Sequence, residues 1–168
     1  PRKMVGWWTA DNNMDDIAGG ENNSGEWKKI GNAQYTNGEV LNSFSFDGSN
    51  FVDVPSLWTA KQEINISTED FAIDAWIKPH DITGVRPILE NIKFYFGSSD
   101  THTGYSFNLE NGELALYIVA RNLHGFILPY VMNRVVYKKY ITQGLNIPAN
   151  NWSHVTVSVT RTASGVKF

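Results

Sequence analysis

The strongest constraint on this chain is a two-residue alternation that recurs along much of its length. In "DFAIDAWIKP" (70–79), Phe71, Ile73, Ala75 and Ile77 fall on one side, and Ala72, Asp74, Trp76 and Lys78 on the other. "NWSHVTVSVTR" (151–161) repeats the pattern, with Val155, Val157 and Val159 sharing a face. Successive side chains of an extended chain point to opposite faces, so a period of two marks a half-buried strand. "RPILENIKFYFGS", "GYSFNLENGELALYIVA" and "GFILPYVMNRVVYKKYI" add further strands. Asn111-Gly112 sits between two alternating runs, where a tight hairpin turn needs residues that tolerate a left-handed backbone.

"MVGWWTA" (4–10) reads as a first strand, and 11–25, rich in Asn, Asp and Gly, as a long loop. A turn at Asn37-Gly38 leads to a strand ending at Phe46, and "FVDVP" forms another, stopped by Pro55. Only 56–66 leaves room for a short helical turn. About ten strands with frequent turn signals predict an all-β protein, either a two-sheet antiparallel sandwich or a barrel.

The 168 residues suit a single domain spanning 1–168. Aromatic residues make up 13% of the chain, and most are expected inside the sandwich. A net charge of -3 gives no electrostatic basis for binding nucleic acid or an anionic membrane. No apolar run approaches the roughly 18 residues that a spanning helix needs, so no membrane insertion is expected. With no cysteine, disulfides and thiolate metal sites are excluded. The chain starts at Pro1, which reads as a trimmed piece of a larger protein.

The motifs occur in a telling order. A Trp-rich first segment and a polar loop precede "AQYTNGEVLNSFSFDGSNFVDVP", "FAIDAWIKP", an Ile-Leu-Glu strand, "GYSFNLENGELAL" and "NWSHVTVSVTR". As a set, these resemble the laminin-G-like domains of the concanavalin A-like lectin/glucanase superfamily in their bacterial jelly-roll form. The resemblance runs from about Val5 to Phe168. It implies two curved antiparallel sheets face to face, in an accessory module of a secreted or cell-surface protein, by expectation bacterial. Members of that group commonly bind glycans or calcium. Relative to the family pattern the chain is incomplete at its C-terminal end, so its closing strands are expected from other polypeptide segments or chains.

For calcium, hard cations need several oxygen ligands in one place. Asp11, Asn12, Asn13, Asp15 and Asp16 crowd one loop, and Asp47, Ser49 and Asn50 crowd another. In the resembling fold these loops lie near one end of the sandwich, which makes Asp11, Asp47 and Asn50 the candidate metal ligands. The same residue types also suit plain turns, and both readings stand at this point. For glycans, aromatic rings stack on sugar faces while amides and carboxylates bond hydroxyls. Trp27, Trp58 and Tyr130 sit in loop-like contexts and are the candidate ligand-binding residues.

Catalysis finds little support. Retaining glucanases need two carboxylates about 5 Å apart. The nearest acidic cluster, Glu69-Asp70 followed by Asp74, has the wrong spacing for the superfamily's enzymes and lacks a second glutamate. Glu110 and Glu113 flank a hairpin, where solvated charge is expected. His80, His102, His124 and His154 have no metal-type spacing, and His154 reads as a core or edge residue. The expectation is a non-catalytic adhesion or carbohydrate-recognition module. The alternative is an assembly domain contacting other proteins, and a glycoside hydrolase accessory or degenerate glucanase comes third.

Overall fold

The computed structural model describes residues 4–18, 28–30, 34–53, 69–95, 101–122, 134–162 and 165–167. These form eleven strands and no helix, with every pairing between strands antiparallel. Hence none of the described residues belongs to a helix long and apolar enough to cross a membrane. The chain divides into two compact units, Pro1–Asn65 and Ile66–Phe168.

The first unit holds two ribbons. β1 (Lys28–Ile30) pairs with β4 (Phe51–Asp53), and β2 (Gln34–Asn37) pairs with β3 (Asn42–Ser45). The register of the second ribbon sets Tyr35 directly opposite Phe44, with ring centroids 5.7 Å apart. Its turn closes through the Gly38 N–H to the Leu41 carbonyl, and Leu41 takes a left-handed φ of 55°. At the tip Leu41 is 73% exposed.

The first strand expected at the N-terminus is corrected. Residues 4–10 contribute a single bridge, Trp8 to Asp16. The Asp16 carboxylate explains why. It takes the N–H of Trp7 at 2.7 Å, a donor that a strand would give to its ladder, while the Trp7 carbonyl accepts the Ile17 N–H at 2.9 Å.

The second unit is a sandwich. One sheet has the order β11 (Gly165–Lys167), β10 (Ser153–Thr162), β5 (Phe71–Ile77). The other runs β6 (Val85–Tyr95), β7 (Thr101–Glu110), β8 (Glu113–Asn122), β9 (Arg134–Ile141). Val155 opposes Ala75, Val157 opposes Ile73 and Val159 opposes Phe71, so the alternation read in both segments lands on one inner face. Phe107, Leu109 and Leu116 from the four-stranded sheet join Val155, Val159 and Ile147 in the core. Phe107, Leu109 and Val159 are each only 1% exposed. Burying such a side chain contributes about 1.5–3 kcal/mol, which favours this register over any one-residue slip.

The β7–β8 hairpin turns at Asn111 and Gly112 with φ of 51° and 85°, the pair of left-handed positions that the sequence signals. Asn111 also ties this tip to the loop before β6. Its N–H donates to the Gly84 carbonyl at 3.0 Å, and its Oδ1 accepts the Gly84 N–H at 2.9 Å.

Candidate functional site

The outward face of β5 and β10 follows from the same alternation. If the valines and isoleucines face in, then Ala72, Asp74 and Trp76 must face out, opposite Ser158, Thr156 and His154. All six are exposed. Trp76 leaves 50% of its surface in solvent, an unusual place for an indole that could otherwise be buried. The His154 ring stands beside it, 5.1 Å between centroids and tilted by 49°. His154 Nε2 lies 3.6 Å from Asp74 Oδ1. Beyond the end of β5, Lys78 Nζ sits 5.9 Å over the Trp152 ring. The result is an aromatic platform, flanked along one strand by a carboxylate and an ammonium and across the sheet by an imidazole. His154 is thus not a core residue; among the described residues its strand pairs at this position only with β5, so it lies at the edge of the sheet, with its ring on the outer face. The alternation places Trp76 and Asp74 on the outer face, but only the register shows His154 joining them.

The opposite sheet carries a polar row on its outer face, away from the core. Glu90, Ser106, Tyr117 and Lys139 lie side by side across β6, β7, β8 and β9. Ser106 and Asn108 are buried and satisfied by each other: Ser106 Oγ donates to Asn108 Oδ1 at 3.0 Å. Glu110 gathers Tyr117 Oη at 2.7 Å and Lys139 Nζ at 2.6 Å. Those two donors hold its carboxyl below the usual range, the Lys139 hydrogen bond having the largest effect. The same contact with Glu110 raises the pKa of Lys139 and of Tyr117.

Glu113, across the hairpin from Glu110, has a structural role. Its carboxylate accepts from the Gly144 N–H at 2.6 Å, the Leu145 N–H at 3.2 Å and the Thr142 hydroxyl. These donors lower its pKa, with Thr142 contributing most. Glu110 and Glu113, expected to be plain solvated charges, are instead anchors. Apart from Tyr117, seven residues from Glu110, their partners lie 29 or more residues away, beyond the reach of local spacing.

The candidate metal ligands serve as turn caps. Asp47 Oδ1 accepts both the N–H and the hydroxyl of Ser49 at 2.8 Å, and these bonds depress its pKa. Asn50 Oδ1 accepts the Asp47 N–H at 3.2 Å, and Gly48 between them takes a φ of 90°. Asp11 Oδ1 accepts the Asn42 N–H at 3.1 Å. One oxygen of each residue is therefore committed to backbone. Calcium takes six to eight oxygens. Among the described residues no three His, Cys, Asp or Glu side chains group together as metal ligands. The Asp47 corner is a capped turn. The candidate glycan residues Trp27, Trp58 and Tyr130 lie outside the described residues, as do the apolar stretch 126–130 and the helical turn expected within 56–66.

Comparison with known proteins gave no match to a family model, a curated protein or a solved structure.

Proposed function

We propose that this chain is a non-catalytic carbohydrate-recognition module of a secreted or cell-surface protein, and that the outward face of β5 and β10 is its binding surface. The observation that carries the reading is the half-exposed Trp76 indole, standing beside the neighbouring Asp74 and His154 side chains. A pyranose ring offers a patch of C–H bonds that stacks on an indole, and its hydroxyls bond carboxylates and imidazoles at the rim. The flat, solvated Ser158, Thr156 and Ala72 surroundings leave room for a sugar to approach.

The carboxylates support binding rather than turnover. A glycosidase acid needs a pKa raised toward neutrality. Glu110 and Glu113 are shifted the other way by their donors. Asp70 accepts the Arg161 N–H at 2.7 Å. Screening the full chain against an array of neutral and charged glycans tests the reading. Wild type should bind at least one class, and Trp76→Ala should lose that signal while keeping its far-UV spectrum. Binding that Trp76→Ala leaves untouched would move the site elsewhere.

A further inference from the structure

The outward row of β5 runs Asp74, Trp76 and, one step past the strand end, Lys78. Neighbours in such a row stand about 7 Å apart, so one sugar ring stacked on Trp76 has a charge within reach at either end. The two charges differ in what they already meet. Asp74 Oδ1 has the His154 imidazole 3.6 Å away. Lys78 is exposed, and among the described residues no carboxylate pairs with its ammonium. Arg86 and Lys139, by contrast, are paired with Asp81 and Glu110.

A lysine ammonium rides on a flexible four-carbon stem, so an exposed one ordinarily has no fixed position. Here an indole holds it. The β5–β10 ladder closes with Ser153 opposite Ile77, so Trp152 comes opposite Lys78 one step further on. Lys78 Nζ lies 5.9 Å from the Trp152 ring centroid, where the negative face of the ring attracts a cation. Trp152 is half-buried and forms the fixed side of this contact. The ring neutralises no charge, and N–H donors of the ammonium remain for a ligand.

We infer, resting on the proposal that this face binds carbohydrate, that its ligand is an anionic glycan, with a pyranose on Trp76 and a carboxylate or sulfate group on Lys78. The row also sets the direction of the ligand. An anionic group turned toward Asp74 meets a like charge, and one turned toward Lys78 meets an ammonium with no other counter-ion. A hydroxyl both donates and accepts, so it fits the Asp74 end. Lys78 is therefore a specificity-determining residue, and Trp152 is a positioning residue that acts through it.

The test titrates the full chain with matched pairs: uronic-acid oligosaccharides against their methyl esters, and sulfated oligosaccharides against their desulfated forms. The ratio of affinities within a pair is the readout, which a general loss of stability does not move. At least one anionic member should bind about fivefold more tightly than its neutral counterpart, the upper range for one exposed ion pair, and the pair that shows it identifies the group. That preference should shrink as salt is raised. Lys78→Gln should bring the pair level, Lys78→Arg should keep the preference, and Trp152→Leu should reduce it. Equal affinities within every pair in wild type, or a preference that survives Lys78→Gln, would overturn the inference while Trp76-dependent binding still upheld carbohydrate recognition. Anionic binding that Trp76→Ala leaves intact would overturn it as well. Silence of every anionic and neutral member would overturn both.

Discussion

Trp76 and His154 face each other across the β5–β10 ladder, their rings 5.1 Å apart on the solvent side of the sheet. A cross-strand aromatic pair of this kind contributes roughly 0.2–1 kcal/mol to the sheet. Trp76→Ala should therefore cost little stability, with a melting temperature within a few degrees of wild type by differential scanning calorimetry. A large drop would mean that the indole is chiefly a packing residue.

Phe107 is the sharpest test of the sandwich core. It is buried at the contact between the sheets and walls a cavity beside β10. Phe107→Ala should destabilise by about 3–5 kcal/mol in urea titration, as a large core ring leaves a void. A loss below about 1 kcal/mol would contradict the inter-sheet core.

Glu113 holds the segment that follows β9 through Gly144, Leu145 and Thr142. Its folded-state pKa is depressed, so its stabilisation is present above the ordinary glutamate range and is lost as pH falls through the lowered value. Wild type should lose more stability than Glu113→Gln on acidification through that window, and the two should differ most near neutral pH. Parallel pH profiles would show that the carboxylate charge does not matter there.

The Asp47 corner separates a turn from a metal site. Asp47→Ala removes the bonds to Ser49 and should lower the melting temperature equally with calcium or with EDTA. A wild-type melting temperature that rises with calcium, by an increment that Asp47→Ala abolishes, would favour the cation reading.

The inner faces of β5 and β10 are legible from alternation alone, because period two has one consequence once one face is buried. The Asn111-Gly112 hairpin is equally legible, since its turn demands left-handed residues. The segment 4–10 misleads because apolar content suggests a strand but does not say whether a backbone or the Asp16 carboxylate will take the Trp7 N–H. The Trp76 site is half visible in the sequence. Its outward direction follows from the pattern, while its partner His154 is 78 residues away by number and is placed only by sheet register (154 − 76). Glu110 and Lys139 meet for the same non-local reason.

Calorimetric titration of the strongest glycan hit into wild type, Trp76→Ala and Trp76→Phe tests the central claim most directly. If the indole is the stacking platform, Trp76→Ala should weaken binding at least tenfold, about 1.4 kcal/mol, and Trp76→Phe should recover part of it. Equal affinity in all three proteins would contradict carbohydrate recognition by this face.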